Sequence, residues 1–160
     1  MAKGWYGRKD RLIKEKRHDT YQVRGKWPES TTCTECGALF VNGRWSWQKA
    51  TTEVNETVCP ACRRIADNYP AGYVEIKGIF FAEHRAEMMH LILNVEEREK
   101  SQHPMERIIT ITDAEGHTLI TTTGLHLARR IGDALSSAYK GELAFQYLEA
   151  GCTVRVSWQR

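Results

Sequence analysis

Cys33-Thr34-Glu35-Cys36-Gly37, followed after a loop rich in Trp and Thr by Cys59-Pro60-Ala61-Cys62, is the stretch on which this 160-residue sequence turns. Each cysteine pair has a two-residue gap, and 22 residues separate Cys36 from Cys59. That gap lets both sulfurs of one tight turn reach a single metal at ~2.3 Å, and two such turns complete a tetrahedron. Gly37 permits the positive φ that a knuckle turn needs, with backbone N–H groups aimed at the sulfurs. The pattern predicts one structural zinc held by Cys33, Cys36, Cys59 and Cys62. A closed four-thiolate shell keeps no open position, so its expected role is scaffolding. Disulfides would need an oxidising compartment. A redox Cys-x-x-Cys opens a helix within a βαβ unit; Cys59–Cys62 comes near that but has a matching partner pair.

The chain is long enough for one ordinary domain or two small ones, and 41% hydrophobic residues allow a modest core. No apolar run approaches the ~20 residues of a membrane span. The start is charged from Lys3 onward without an apolar signal segment, so the expected location is the cytoplasm. The fifth cysteine, Cys152, falls in an alternating strand pattern and reads as a small buried hydrophobe. Net charge is +3 and unevenly placed. Residues 1–30 hold nine basic and four acidic side chains, a net +5, and the remainder is −2. That asymmetry points to nucleic acid.

Aromatics interleave with the charge in this arm: Trp5, Tyr6, Tyr21 and Trp27. Basic residues neutralise phosphates, and aromatic faces stack on unpaired bases. The expected RNA-binding set is Lys3, Trp5, Tyr6, Arg8, Lys9, Arg11, Lys14, Lys16, Arg17, Arg24, Lys26 and Trp27, extended on the cysteine module by Arg44, Arg63 and Arg64, with Lys49 nearby. The competing reading is a solvated tail whose aromatics pack back on the body.

Three segments follow: a basic aromatic arm over 1–30, a zinc module over 31–71 and a further domain over 72–160. In the module, short strands around Leu39–Val41 and Trp45 flank Asn42-Gly43, a hairpin signal, and a helical turn over 63–68 stops at Pro70. Zinc replaces the core that so few residues cannot build. Beyond residue 72 the periodicities predict a strand over 73–80, a helix over 82–101, strands over 107–113 and 117–123, a helix over 125–140 capped by Thr123, and strands over 143–148 and 152–158. The fold class is therefore α+β: a zinc-ribbon or treble-clef-like module plus a ferredoxin-like split βαβ domain with an extra strand.

Catalytic constellations are sparse. Glu83, Glu87, His90 and Asn94 share a helix face, and Glu87-x-x-His90 resembles half of a di-iron ligand set, but the second helix offers only Asp133 and Glu142 as partners. That face lies opposite the apolar stripe. There is no phosphate-binding Gly loop and no nucleophile elbow. The alternatives to RNA binding are a metal-dependent enzyme using Glu83, Glu87 and His90, and a regulator that binds DNA or protein. No helix-turn-helix pattern supports DNA reading.

Cys59-Pro60-Ala61-Cys62 followed by Gly72-Tyr73-Val74-Glu75-Ile76 resembles the large-ribosomal-subunit adaptor family named after nonsense-mediated decay protein three. The likeness resumes at Ile111-Thr112-Asp113 to Leu119, at Thr123, at Ala128-Arg129-Arg130-Ile131 and at Cys152-Thr153-Val154-Arg155-Val156-Ser157. The resemblance implies zinc ribbons, a ferredoxin-like domain and binding to the large ribosomal subunit. That family carries two four-cysteine sites where this chain has one, and it has a later barrel domain and an export tail that this chain lacks. The chain looks like a short, bacterial, single-zinc relative. The expectation is a non-enzymatic ribosome-associated factor that contacts rRNA and ribosomal proteins, in dormancy, stress or late assembly, with no membrane or small-molecule substrate.

Overall fold

The computed structural model describes Tyr21 and residues 30–50, 53–148 and 151–160. Lys3, Trp5, Tyr6, Arg8, Lys9, Arg11, Lys14, Lys16, Arg17, Arg24, Lys26 and Trp27 lie outside the described residues. The chain is α+β, with a small cysteine-bearing sheet followed by a larger sheet built around a split βαβ unit.

The small sheet is made of β1 (Thr31–Cys33), β2 (Leu39–Val41), β3 (Arg44–Ser46) and β4 (Asn55–Thr57), in the order β3-β2-β1-β4. β4 returns parallel to β1, and the other pairs are antiparallel. The hairpin at Asn42-Gly43 forms as expected: φ is 55° and 79° there, the two positive angles that match the twist of the flanking strands. Helix α1 (Pro60–Asp67) follows, longer at its start than the predicted turn. Pro60 sits at the first helical position, where its missing N–H is harmless, and Asn68 closes the helix in the left-handed region.

The larger sheet contains β5 (Gly72–Lys77), β6 (Ile108–Ala114), β7 (His117–Thr122), β8 (Glu142–Leu148) and β9 (Thr153–Gln159), in the order β6-β7-β5-β9-β8. β7 lies antiparallel between β5 and β6, which splits the βαβ unit. The extra strand settles in an inner position. The chain leaves helix α4 (Leu125–Tyr139), runs along the outer edge as β8, and returns as β9 parallel to β5. Cys152 is half-buried just before β9 rather than within it.

α4 and the longer helix α3 (Arg85–Gln102) supply the buried side chains Met88, Ile92, Val95, Leu127, Ile131 and Leu135. These meet Val74, Ile76, Ile120, Val154, Val156 and Trp158 of the sheet in one core. Trp158 is fully buried, and its indole N–H donates to the carbonyl of Lys140 at 2.7 Å, which satisfies its polar end.

Two local expectations are corrected. The helix predicted over 82–101 is preceded by α2 (Ile79–Glu83), and the two meet at His84, whose φ is −116°. The N–H groups of Phe80 and Phe81 are tied to the carbonyl of Arg160, which fixes the direction of the first turn. Thr123 does not cap α4; Gly124 holds that position. Thr123 instead accepts the N–H of Arg107 at 2.9 Å and donates to the carbonyl of Met105 at 2.6 Å. The carboxylate of Glu106 takes over the cap and accepts the N–H of Leu127 at 3.0 Å. Among the described residues, no helix is long and apolar enough to cross a membrane.

Candidate metal centre

The four cysteines come from two local structures that both present backbone N–H groups. β1 ends at Cys33, and its knuckle closes with Cys33 N–H on the carbonyl of Ala38 (2.8 Å) and Gly37 N–H on the carbonyl of Cys33 (3.0 Å). Gly37 takes φ +79°, as the turn requires. Cys59 is the N-cap of α1, and Cys62 sits in its first turn. Aligned peptide dipoles make a helix N-terminus favourable for thiolates.

The ligand atoms of Cys33, Cys36, Cys59 and Cys62 all lie within 4.8 Å of one another, so the cluster is placed to hold a metal ion. Cys33 Sγ is 3.8 Å from Cys62 Sγ, and Cys36 Sγ is 3.8 Å from Cys59 Sγ. A regular tetrahedron with ~2.3 Å metal–sulfur bonds has edges of about 3.8 Å. The donor set thus fits a closed, tetrahedral, sulfur-only shell. None of the four cysteines is in a disulfide.

Hydrogen bonding tunes the sulfurs. Cys59 N–H donates to Cys33 Sγ at 3.2 Å, and Cys62 N–H to Cys59 Sγ at 3.4 Å. Burial pushes the Cys33 thiol up, but the N–H groups of Cys59, Cys36 and Glu35 outweigh it and bring it down to about 6. Cys59 is the most deeply enclosed, and burial holds its thiol well above the ordinary value. A metal ion, which favours thiolate at every ligand, reverses that penalty.

The sequence gives no local sign of the residue that completes the site. Arg107 stands just ahead of β6, 45 positions beyond Cys62, and is 8% exposed. Its guanidinium donates to Cys36 Sγ at 3.2 Å, Cys62 Sγ at 3.3 Å and Cys59 Sγ at 3.4 Å. Its Nε–H donates to the carbonyl of Pro104 at 2.8 Å, which fixes the plane of the fork. Each of the four sulfurs therefore accepts at least one N–H. Burial works against the charge of Arg107, but the hydrogen bond to Cys62 and the neighbouring sulfurs raise its pKa, so it stays a cation. Four thiolates around a divalent metal leave two net negative charges, and Arg107 cancels one of them inside the fold. Met105 packs against the cysteine cluster, and Trp47 N–H donates to the carbonyl of Lys100 at 2.7 Å in the last turn of α3. The cysteine module is thus joined to the larger sheet's end of the molecule by an electrostatic contact and a helix-terminus contact.

The expected phosphate contacts divide. Arg44, Lys49 and Arg63 are exposed on the module. Arg64 is not available as expected: it is 5% exposed, donates to the carbonyl of Tyr69 at 3.1 Å and lies 4.4 Å over the ring of Tyr21. Tyr21, the one placed aromatic of the arm, stacks on Tyr69 and donates to Asp67 at 2.9 Å. This corrects Arg64 from a surface cation to an anchor for the chain entering the module.

Glu83, Glu87 and His90 are exposed on the outer face of the helices, and Glu87 accepts the hydroxyl of Tyr139 at 3.0 Å. Among the described residues, the only cluster placed to hold a metal is the four cysteines. A cleft of about 530 Å³ between α2 and the turn after β6 is lined by Ile79, Phe81, Arg85, Asp113 and their neighbours, and none of Glu83, Glu87 and His90 lines it. Its charged groups, Arg85 and Asp113, are bonded to each other at 2.7 Å.

In comparisons with known proteins, no protein family, no curated protein and no solved structure matches the chain significantly.

Proposed function

We propose that this protein is a non-enzymatic, zinc-stabilised factor that associates with the ribosome through rRNA, with the large subunit favoured, and acts in dormancy under stress or in late assembly. One observation carries the reading: residues 1–30 concentrate a net charge of +5 and interleave it with Trp5, Tyr6 and Trp27, beside Tyr21, which is engaged by Tyr69 and Asp67. That composition suits phosphate neutralisation with base stacking. Two features support it. The arm leads into a module that exposes Arg44 and Arg63. A sulfur-only tetrahedral shell is the preferred environment of zinc, and its closure by four side chains suits a scaffold for an RNA-binding surface.

The test is sedimentation of cell lysate through sucrose at low and high salt, with zinc quantified on the purified chain. One zinc per chain and salt-sensitive migration with 50S or 70S particles are the expected results. Six phosphate contacts from Arg8, Lys9, Arg11, Lys14, Lys16 and Arg17 imply that affinity falls on the order of 10³-fold between 50 and 200 mM salt. Replacing these six by Gln moves the protein to the top of the gradient while zinc content stays unchanged. Co-sedimentation that survives the replacement, or migration at the top at every salt, overturns the reading.

A further inference from the structure

We infer that β8 is a self-pairing edge, through which two copies of this chain join their five-stranded sheets antiparallel into one continuous sheet. The two edges of the larger sheet are built differently. The outer edge at β6 has a register break between Ile108 and Thr110, and Asp113 lies on it, bonded to Arg85 and Thr118. A bulge and a charge are the usual protections against unwanted strand pairing. β8 has neither. Its register with β9 is unbroken from Glu142 to Leu148, and Leu143-Ala144-Phe145-Gln146-Tyr147-Leu148 contains no charge and no proline.

The strand is also complementary to itself. Leu143, Phe145 and Tyr147 pair with the buried residues Trp158, Val156 and Val154, so they stand on the helix-covered face. Phe145 is 39% and Tyr147 50% exposed, because nothing among the described residues flanks β8 on its outer side. A two-fold axis through Phe145 sets Phe145 against Phe145 and Leu143 against Tyr147 on that face. It sets Ala144 against Gln146 on the other. From Leu143 to Tyr147 every cross-strand pair is then apolar or neutral, and Glu142 falls at the rim against Leu148.

The charges beside the strand obey the same axis. Phe145 lies beside the middle of α4: a Cβ on Gly132 would be 3.5 Å from its ring, and Arg129 lies 5.8 Å over it. Asp133 is one turn further along from Arg129. The two-fold turns the second α4 antiparallel to the first and brings Arg129 of each copy towards Asp133 of the other. It also shields Phe145 and Tyr147 of both copies in the gap between the helices. An unrelated partner strand has no reason to repeat both symmetries, so a second copy is the occupant.

The test is sedimentation velocity of the zinc-loaded full chain from about 1 to 300 µM, with hydrogen exchange of the β8 amides. The expected result is a concentration-dependent shift from 18.4 kDa towards twice that mass, with β8 protection rising in step. Phe145→Lys weakens the dimer by about tenfold or more while leaving the monomer folded. Arg129→Asp and Asp133→Arg each weaken it and the double exchange restores it, with the melting temperature of each dilute monomer unchanged; a loss and rescue that track monomer melting would come from the i, i+4 pair within α4 and overturn the contact. A mass of 18.4 kDa across the range overturns the inference. So does β8 protection independent of concentration, which assigns the edge to another part of the same chain. The ribosome reading uses no residue of β8 and survives either result.

Discussion

Replacing Arg107 by Met removes one buried positive charge from a centre that carries two net negative charges when a divalent metal is bound, while keeping most of the side-chain volume. Three N–H···S bonds of 3.2–3.4 Å and the bond to Pro104 disappear together. Charge-assisted hydrogen bonds contribute about 1.5–3 kcal/mol each, and breaking a buried charged set by removing one member costs about 3–5 kcal/mol. The lower end applies, because backbone N–H groups still reach Cys33 and Cys59. A loss of about 3 kcal/mol lowers the Tm of a chain this long by roughly 6–12 °C. Differential scanning calorimetry measures that drop, and transfer of zinc to a chromophoric chelator measures the second effect, release faster by about tenfold or more. Cobalt loading separates electrostatics from packing: loss of the guanidinium makes the thiolates stronger donors and moves the sulfur-to-cobalt charge-transfer band to longer wavelength. Arg107→Lys, which offers a point charge in place of a planar fork, falls between the two. An Arg107→Met protein that melts within about 2 °C of the parent and releases zinc at the parent's rate refutes the reasoning.

Glu106 gives a pH prediction. Burial raises its carboxyl above the ordinary range, against the Leu127 N–H that lowers it, so the folded state binds the proton more tightly and stability falls as pH rises through the raised value. Glu106→Gln keeps an acceptor for Leu127 and flattens that fall, whereas Glu106→Ala loses the cap, about 1 kcal/mol at any pH; urea unfolding between pH 4 and 8 distinguishes them, and equal losses for the two variants would sink the assignment. Gly72 lets α4 lie close on β5: a Cβ there would collide with Thr122 Oγ1 and lie 2.6 Å from Ala128 Cβ. Gly72→Ala is expected to destabilise by about 1–3 kcal/mol through overpacking, and an unchanged urea midpoint would show that the helix can move away.

Most of the fold was legible because its signals are local. Alternation in β5, the Asn42-Gly43 turn and the apolar stripe of α4 each report on neighbours within a few residues; the structure agrees on the turn and the stripe, and on β5 as far as Lys77, where the strand predicted to reach Phe80 ends and Ile79 begins a helix instead. What failed depends on distant partners. Thr123 has the chemistry of a cap and precedes a helix, but Glu106 reaches that helix first, and Thr123 is drawn towards Met105 and Arg107. Nothing near Ile79 announces that the carbonyl of Arg160 will start a helical turn there. Arg64 looked like a surface cation because charge is usually solvated, and only the placement of Tyr21 and Tyr69 shows it enclosed.

The metal centre shows the same division most sharply. Cysteine spacing identifies the ligands because a chelate ring is a local object. It cannot identify the counter-charge, which has to arrive from elsewhere because the module's own placed arginines are committed outward or to α1: Arg44 and Arg63 are exposed, and Arg64 is held by Tyr69 and Tyr21. Pro104 is buried and orients Arg107 through its carbonyl, and Thr123, between β7 and α4, fixes the backbone of Arg107. The two helices and the edge strand of the larger sheet therefore determine where one positive charge stands relative to four sulfurs. Metal loss would leave that cation among protonating thiols and loosen the loop that carries Met105, Glu106 and Arg107, so the cap of α4 would weaken along with the site. On this argument the cysteine centre supports the second sheet as well as its own module, and a fragment ending at residue 71 would hold metal less tightly than the full chain.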